Sequence, residues 1–381
     1  QPALLYKAVE LGEMLYAGFD TPNRMPGFWL DFHKAKTGHL EADEWQPATS
    51  HAGLSMEFAR LGMITGETKY YDAVAKVSEK LYEIQNSTKL PGMWPTMMNV
   101  KGGDWTRDSY FTLGALSESM HEYIVKMQLT LGGLEPKYHQ MTKTMLDTIQ
   151  ENLLFRPMTP NNTDILFLGD LRVQGDGSHE LQPESQHLAC FAGGMYALGS
   201  KMHNVPEYLD TAARLTKGCI WAYDVMPNGL APEIFTLTAC NTTARCDWNE
   251  QRWIEAASQD LEGGLYLPKG FQNAREPKYI LRPEALESVF YMYRITGDEQ
   301  YRDDAWRMYQ AIEEATSTPY GNAAVKNVTV TVGLENVDSM ESFWFAETLK
   351  YLYLTFSSPD VISLDDYVFT TEAHPFLIPK R

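Results

Sequence analysis

Hydrophobic positions recur along the chain with helical spacing. The segments 184–203 and 284–296 are apolar over a wide arc, as expected of helices that are buried on most sides. In 298–316, by contrast, the apolar residues follow an i, i+4, i+7, i+8, i+11 pattern that places them on one helical face. These residues are Tyr301, Ala305, Met308, Tyr309, Ile312 and Ala315. The pattern therefore predicts two kinds of helix, inner helices that are largely buried and outer helices with one apolar face.

A two-helix plan repeats along the sequence. The stretches RLGMITGETKYYDAV (60–74) and YRITGDEQYRDDA (293–305) each contain the end of one helix, a glycine in a turn, and a tyrosine that opens a second helix. Looser copies occupy 129–141 and 198–212, and QPALLYKAVELGEML at the N-terminus resembles the second half of another copy. The tyrosines of these turns are Tyr6, Tyr70, Tyr138, Tyr208 and Tyr301. We therefore expect pairs of inner and outer helices.

The two ends of the chain bear on how these pairs assemble. A final lone helix over 341–357 needs partners on both sides, and the loops are long and varied, so a closed ring is favoured over an open solenoid. The first helix has the character of an outer helix. We therefore expect the inner helix that opens the ring to lie outside this sequence.

Composition restricts the classes of function. The 381 residues carry a formal net charge of −18 and no basic cluster, which excludes a nucleic-acid-binding protein. No apolar run reaches the roughly 18 residues of a membrane-spanning helix, so we expect no transmembrane segment. The acidic balance fits a neutral or cationic ligand, a bound cation, or solubility alone.

Cysteines and N-glycosylation sequons indicate an oxidising compartment. The cysteine count is even and no CxxC spacing occurs, which disfavours a zinc site. The cysteines are Cys190, Cys219, Cys240 and Cys246. The sequons begin at Asn86, Asn161, Asn241 and Asn327. Together these features favour the lumen of the secretory pathway or the extracellular space.

Carboxylates at the starts of inner helices are the main candidate reactive groups. In LRPEALES, Pro283 fits the first helical position and Glu284 lies in the first turn, where the helix dipole favours an anion. Glu287 shares that face, although the residues that follow are apolar. Two carboxylates on the buried side of a helix must be paired, metal-bound or reactive. Simple stabilisation of the helix start is the alternative for Glu284.

Other polar residues stand in similar positions. Glu347 lies in a helix that is nearly all aromatic and aliphatic, where a salt bridge to a core arginine is the alternative to a functional role. His187, beside Leu188 and Phe191, is more often a satisfied core histidine than a catalyst. Motifs of serine hydrolases, HExxH metalloproteins and phosphate-binding loops do not occur. Many carboxylates without such motifs favour carbohydrate chemistry, because glycoside hydrolysis needs two carboxyl groups that flank the bond.

Several longer motifs resemble one family. They are FTLGALSESMHEYIVKM, HLACFAGGMYALG, GLAPEIF, YILRPEALESVFYMYRITGD, TPYG, DSMESFWFAETLKYLYLTFS and YVFTTEAHPF. In this order, across essentially the whole chain, they resemble glycoside hydrolase family 47, the class I α-1,2-mannosidases. The resemblance implies an all-α (α/α)7 barrel that a C-terminal β-hairpin plugs. Residues 1–381 would then form a single catalytic domain that lacks its first helices.

The resemblance also implies an activity. It is that of a calcium-dependent, inverting exo-α-1,2-mannosidase that trims high-mannose N-glycans of glycoproteins and acts as a monomer. Glu284 would be the general base that activates water, with Glu118 as the second catalytic carboxylate. Arg282 and Phe343 would form the floor around the terminal mannose. The polar residues that would line the glycan cleft are Glu57, Glu122, His187 and Glu233.

A calcium ion and two disulfides complete these expectations. By resemblance, Thr371 of the TEAH motif would coordinate Ca²⁺ through its carbonyl and hydroxyl oxygens, in keeping with the preference of calcium for oxygen ligands. The carboxylates that would hold the waters around the ion are Glu284, Glu287, Glu347 and Glu372. Cys190 and Cys219 match the disulfide of the family. We predict Cys240–Cys246 as a second, local disulfide.

The sequence departs from the family pattern in two places. Glu118 stands where the family usually has a catalytic aspartate, and Leu116 stands where some members have an arginine that stacks on the neighbouring sugar. The general acid of the family would lie before Gln1. A glycan-binding, lectin-like relative with little hydrolysis is therefore the alternative function, and a carbohydrate enzyme of another helical family is a third.

Overall fold

The helices follow the predicted repeat. The structure is a computed structural model that describes residues 2–257 and 267–380. The α-helices within these residues are α1 (Pro2–Tyr16), α2 (Phe32–Thr37), α3 (Thr49–Ala52), α4 (Ser55–Thr65), α5 (Thr68–Ile84), α6 (Glu118–Thr130), α7 (Pro136–Asn152), α8 (Ala192–His203), α9 (Pro206–Asp224), α10 (Glu250–Ala257), α11 (Glu284–Thr296), α12 (Gln300–Thr316) and α13 (Leu349–Thr355).

Four helix pairs contain most of the α-helical residues that the structure describes. The helices α4 and α5, α6 and α7, α8 and α9, and α11 and α12 pack against each other within each pair. The connecting turn has a residue in the left-handed region at the end of the first helix in three pairs, namely Gly66 (φ 78°), Asn204 (φ 53°) and Gly297 (φ 70°). Glycine and asparagine tolerate this conformation, which ends a helix by satisfying its last carbonyls. The glycine turns predicted from the sequence are therefore confirmed at Gly66 and Gly297.

Inner and outer helices differ in burial as expected. The helices α4, α6, α8, α11 and α13 form an inner row in which each contacts the next, whereas α5, α7, α9 and α12 pack outside it. Helix α11 is buried continuously from Ala285 to Met292, while α12 buries one face that includes Tyr301, Met308 and Ile312. Helix α1 packs on α4 and α5, as an outer helix would.

Short strands fill the connections between the helices. Within the described residues they are β1 (Gln46–Pro47), β2 (Met97–Met98), β3 (Tyr110–Phe111), β4 (Leu154–Phe155), β5 (Phe167–Leu168), β6 (Asp170–Val173), β7 (His179–Gln182), β8 (Glu184–Gln186), β9 (Ile234–Leu237), β10 (Phe271–Glu276), β11 (Ser317–Thr318), β12 (Gly321–Asn322), β13 (Ala324–Val325), β14 (Asn336–Val337), β15 (Tyr367–Phe369) and β16 (Pro375–Leu377). They form antiparallel pairs or three-stranded sheets, of which β8–β9–β10 lies closest in sequence to His187.

The C-terminal stretch forms an antiparallel hairpin. Strands β15 and β16 pair with Val368 opposite Phe376. Between them, Ala373 has a φ of 55°, and its carbonyl accepts a hydrogen bond of 2.8 Å from Lys350 Nζ. The ring of Phe369 packs against three aromatic residues of inner helices, Phe290, Tyr291 and Tyr351. These contacts hold the chain end against the inner row.

Two helix predictions need correction. The segment 184–191 is not α-helical, because Glu184–Gln186 pairs as strand β8 with β9 and His187–Phe191 forms a 3-10 turn before α8. The last helix starts later than 341, because Trp344–Thr348 forms a π-helical turn that continues into α13. In both cases the backbone at the start of an inner helix adopts another geometry, which changes where its polar side chains lie.

Both predicted disulfides are present. Cys190–Cys219 joins the 3-10 turn before α8 to helix α9, and Cys240–Cys246 closes a short loop after β9. Among the helices of the described residues, none combines the length and the apolar character needed to cross a membrane.

Candidate active site

The candidate site lies where inner helices begin. Glu118 and Glu284 occupy the first turns of α6 and α11, and Glu347 lies in the π-helical turn that leads into α13. His187 opens the 3-10 turn before α8. Because these helices are neighbours in the inner row, their starting residues are brought towards one another from segments far apart in sequence. The positive end of each helix dipole favours the carboxylates there.

Arg282 connects two carboxylates at the start of α11. Its Nε donates to Glu233 Oε2 at 2.7 Å, and its Nη1 donates to Glu284 Oε1 at 3.3 Å. The guanidinium also lies over the ring of Phe343, 5.8 Å from its centre. Arg282 therefore contacts three other residues expected at the sugar site, namely Glu233, Glu284 and Phe343, and fixes their arrangement.

His187 lies on the other side of Glu284. Its Nδ1 is 3.3 Å from Glu284 Oε2, without the alignment of a hydrogen bond, and its Nε2 is 2.7 Å from the hydroxyl of Tyr223. Burial would raise the pKa of Glu284, but the neighbouring His187 and Arg282 outweigh it, and the pKa of Glu284 is lowered. Glu284 is therefore an ionised carboxylate at neutral pH, and among the described residues its Oε2 has no aligned hydrogen-bond partner.

Glu118 has the opposite electrostatic character. Its side chain turns back on its own helix start, where Ser117 N–H donates to Glu118 Oε2 at 2.9 Å. Burial raises the pKa of Glu118 to about 7, with a smaller contribution from the negative charges of Glu122 and Glu284. The two first-turn carboxyl groups thus differ in protonation near neutral pH, which is the difference that acid–base pairs in enzymes use.

A buried lysine contacts the carboxylates one helical turn further along α6 and α11. Lys126 Nζ contacts Glu122 Oε1, and it is 3.4 Å from Glu287 Oε1. The hydroxyl of Tyr351 also donates to Glu287 Oε1, at 3.2 Å. Burial raises the pKa of Glu287 to about 8, although Lys126 acts in the opposite direction. The requirement that buried carboxylates be paired is met by this lysine for Glu122 and in part for Glu287.

Other carboxylates lack such a partner. Burial, together with repulsion from Glu372 and Glu284, raises the pKa of Glu347 to about 9. Within residues 2–257 and 267–380, the cations Lys126 and Arg282 form their salt bridges with other glutamates and not with Glu347. The arginine partner considered for Glu347 is thus not found there. Glu57 also has a raised pKa, because it is buried and near Glu122 and Glu372. In the part of the chain that the structure describes, its Oε2 has no hydrogen-bond partner.

The hairpin meets these carboxylates through Tyr123. The tyrosine hydroxyl donates to Glu57 Oε1 at 2.7 Å and accepts from the backbone N–H of Thr371 at 3.3 Å. Thr371 therefore lies close to the carboxylate cluster. No compact group of three or more His, Cys, Asp or Glu side chains suited to hold a metal directly occurs among the described residues. The burial of several carboxyl groups close to one another, with raised pKa values for Glu57 and Glu347, fits a site for a cation.

Some of the residues that organise the site were not singled out in the sequence. They are Tyr123, Lys126, Tyr223 and Tyr351, which contact Glu57, Glu122, His187 and Glu287. A signal existed for Lys126 alone, since it follows Glu122 by four residues, a spacing at which opposite charges meet on a helix. The tyrosines gave no such signal, because their partners come from distant segments.

Comparisons with known proteins point to one family. A family model described as Glycosyl hydrolase family 47 matches residues 1–378. The mannosyl-oligosaccharide α-1,2-mannosidase IA of Spodoptera frugiperda is 32% identical over 377 residues, which cover 98% of this chain and 50% of that protein. The human endoplasmic reticulum mannosyl-oligosaccharide 1,2-α-mannosidase is 33% identical over 380 residues, with 98% and 49% coverage. The chain thus spans about half the length of the curated relatives it matches.

A solved structure supports the same assignment. The α-1,2-mannosidase from Trichoderma reesei superposes with a TM-score of 0.84 at 29% identity, over 99% of this chain and 75% of that chain. The similarity shows that the inner and outer helices belong to an (α/α)7 barrel, as expected from the sequence. Family match, relatives and fold agree, and this chain belongs to glycosyl hydrolase family 47.

Proposed function

We propose that this chain is the catalytic part of a calcium-dependent, inverting exo-α-1,2-mannosidase that trims high-mannose N-glycans. The observation that carries the proposal is the position of Glu284, an ionised carboxylate between His187 and Arg282 at the start of an inner helix. The names of the relatives, which are mannosyl-oligosaccharide 1,2-α-mannosidases, support the same activity. We also propose that residues 1–381 act as one domain and as a monomer, with no nucleic-acid partner.

Glu284 is suited to act as the general base. With its pKa lowered, it accepts a proton from a water molecule that attacks C1 of the terminal mannose from the face opposite the leaving oxygen, which inverts the configuration. Glu284 Oε2 is a buried acceptor without an aligned hydrogen-bond partner among the described residues, and a bound water would supply the missing donor. Glu118, with a pKa of about 7, is half-protonated near neutral pH and assists protonation of the leaving oxygen or orients the water.

The surrounding residues would hold the sugar. Phe343 would stack on the apolar face of the mannose ring, and Arg282, which already lies over Phe343, would fix the floor of the site. We propose that the polar residues facing the glycan are Glu57, Glu122, His187 and Glu233. Glu122 is buried and paired with Lys126, so it would act from below the cleft.

Calcium is part of the proposal because the carboxylates at the site outnumber the cations. Thr371 would bind the ion directly, and waters held by Glu284, Glu287, Glu347 and Glu372 would complete its surroundings. When bound, calcium supplies contacts to the vicinal hydroxyl groups of the sugar. Neutralisation by the ion would lower the raised pKa values of Glu57 and Glu347 and thereby stabilise the folded chain.

One observation favours a second function. Glu118 is one methylene longer than the aspartate that the family resemblance implies, and its Oε2 is bound to the neighbouring Ser117 N–H. A misplacement of about 1 Å in a catalytic group can reduce turnover about 100-fold. The alternative function is therefore a glycan-binding relative with little hydrolysis.

We propose the secretory pathway, either endoplasmic reticulum or Golgi lumen, or the extracellular space as the location. The two disulfides and the endoplasmic reticulum origin of a relative support it. Asn86, Asn161 and Asn241 are exposed and fit glycosylation. Asn327 is half-buried and its Oδ1 accepts hydrogen bonds from Thr329, so we expect lower occupancy there.

Mannose release from a nine-mannose N-glycan tests the function. Wild type should release single mannoses, and a calcium chelator should abolish the release. Glu284→Gln, which keeps the shape of the side chain but removes its basicity, should lose nearly all turnover and still bind the glycan. Release that resists the chelator would overturn the calcium requirement, and a fully active Glu284→Gln would overturn the assignment of the base. Binding of the glycan by wild type without any release would favour the lectin-like alternative.

A further inference from the structure

A second candidate surface lies outside the site described above. Four large aromatic side chains within residues 28–45 are exposed, namely Phe28 (44%), Trp29 (83%), Phe32 (53%) and Trp45 (45%). Phe28 and Trp29 contact each other edge to face, with ring centres 5.1 Å apart. Exposed apolar groups that cluster in this way mark interaction surfaces more often than scattered ones do. Neither the barrel core nor the candidate site uses these rings.

A groove of about 540 Å³ opens beside Trp29. We call it the Trp29 groove, and its polar walls are formed by Asp31, Lys34, His39, Glu41, Asp43, Glu44 and Lys101. Four carboxylates thus stand against two lysines. Such a surface offers hydrogen-bond acceptors next to an exposed indole, and it repels anionic ligands.

Two of the carboxylates are fixed by the backbone. Asp31 Oδ1 accepts from the N–H groups of His33 and Lys34 at 2.9 and 3.1 Å, as the N-cap of α2. Asp43 Oδ2 accepts from Phe28 N–H at 2.7 Å, which ties the carboxylate to the aromatic pair. Among the described residues, the second oxygen of each carboxylate has no hydrogen-bond partner.

A third carboxylate is held by a lysine. Glu41 Oε2 is 2.7 Å from Lys101 Nζ, and the pKa of Glu41 is lowered by this contact. The lysine therefore neutralises one acceptor and fixes its position. Acceptors whose positions are fixed before binding lose little conformational entropy when a ligand arrives.

Backbone hydrogen bonds link the segment of the Trp29 groove to the residues that precede helix α6. Lys101 N–H donates to Asp43 O at 2.9 Å, and β1 pairs with β2 immediately after Trp45. Thr49 N–H then donates to Leu116 O at 3.2 Å, two residues before Glu118. The segment that carries the groove is thus tied by backbone hydrogen bonds to the segment that carries Glu118, a candidate catalytic residue.

We propose that the Trp29 groove binds a neutral oligosaccharide arm of the same glycan whose terminal mannose enters the candidate active site. Sugar hydroxyls donate to the free carboxylate oxygens, and the indole of Trp29 packs on the apolar C–H face of a sugar ring. A neutral polyhydroxylated chain satisfies both kinds of surface, whereas an anionic ligand meets four carboxylates. This inference rests on the proposed function and specifies where the distal part of its substrate lies.

A comparison of two tryptophan variants with two substrates tests the groove. Trp29→Ala should raise KM for a nine-mannose N-glycan at least about fivefold with kcat unchanged, because distal contacts act on binding alone. The same variant should leave KM for α-1,2-mannobiose unchanged, because the disaccharide fills only the candidate active site. Trp306→Ala is the matched control, since Trp306 is 49% exposed on α12. Trp306→Ala should leave KM unchanged for both substrates.

The groove and the proposed function can fail separately. If wild type releases no mannose, the proposed function fails, and 19F signals of fluorotryptophan-labelled protein then report on the groove. A shift of the Trp29 signal with the nine-mannose glycan, and not with calcium alone, supports it. Equal KM values for Trp29→Ala and Trp306→Ala would overturn the proposal, as would a Trp29 signal that responds to calcium and ignores the glycan.

Discussion

The hydroxyl of Tyr123 in helix α6 accepts a hydrogen bond from the backbone N–H of Thr371, 248 residues further along the chain. The same hydroxyl donates to Glu57 Oε1, so one tyrosine links the C-terminal hairpin to helix α4. This contact positions the residue proposed to bind calcium relative to the inner helices. Its removal should therefore affect folding and ion binding together.

Tyr123→Phe should lower the free energy of unfolding by about 1–3 kcal/mol, because it leaves Glu57 Oε1 and the Thr371 N–H without their partner. It should also raise the calcium concentration needed for half-maximal stabilisation. Urea unfolding across a calcium titration measures both effects. Tyr208→Phe is the control, since it removes a comparable tyrosine–carboxylate bond to Asp147 on outer helices. An equal calcium dependence in both variants would contradict the role of Tyr123.

Lys126 neutralises carboxylates inside the barrel. Lys126→Met should destabilise the chain by about 3–5 kcal/mol, because Glu122 and Glu287 lose their buried cation. Adding Glu122→Gln to this variant should recover part of the loss, which keeps the test informative if the single variant folds poorly. Denaturant unfolding provides the measurement.

The matched control for Lys126 is Lys143→Met. Lys143 forms an exposed pair with Asp147 at the same i, i+4 spacing, with a distance of 2.7 Å. Exposed pairs contribute about 1 kcal/mol or less, so this variant should change stability little. Similar losses of stability in the two lysine variants would show that the burial of Lys126 and its carboxylates does not cause the loss.

Glu118 should make stability depend on pH. Its pKa is raised by burial from 4.5 to about 7, so between these values the folded chain holds a proton that the unfolded chain has released. Stability from this group is therefore lost as pH rises from about 4.5 to about 7. Glu118→Gln removes this pH dependence. The free energy of unfolding of the variant, relative to wild type, should therefore be higher at pH 8 than at pH 4.5.

Urea unfolding in chelator at the two pH values checks this expectation. Glu41→Gln is the control of opposite sign, because Lys101 lowers the pKa of Glu41 and its contribution is present at high pH. Glu41→Gln should be slightly less stable than wild type at pH 8. A Glu118→Gln effect that is the same at both pH values would show that the carboxyl is not protonated in the folded chain.

The order of inner and outer helices could be predicted from the sequence, because interactions between residues close in sequence determine it. The apolar face of α12 and the glycines at 66 and 297 act over a few residues, so periodicity and turn preferences reveal them. Glu284 was found for the same reason, since Pro283 marks the helix start. The family resemblance supplied the rest of the candidate site.

What the sequence did not reveal depends on long-range contacts. Residues 184–186 have enough apolar neighbours to resemble a helix, but pairing with β9 makes them a strand. The tyrosines that bind Glu57, His187 and Glu287 come from segments separated by tens of residues, so no spacing identifies them. The exposure of Trp29 was equally hidden, because tryptophan is buried more often than not.

The disulfides should differ in their contribution to stability. Cys190–Cys219 spans 29 residues and Cys240–Cys246 spans 6. In the chain-entropy model, closing these loops in the unfolded chain corresponds to about 3–4 and about 2 kcal/mol, respectively. The Cys190→Ala/Cys219→Ala variant should therefore unfold at lower urea concentration than the Cys240→Ser/Cys246→Ser variant, and peptide mapping without reductant should find both bonds in wild type. A larger loss from the short loop would show that this disulfide maintains native packing near β9 rather than restricting the unfolded chain.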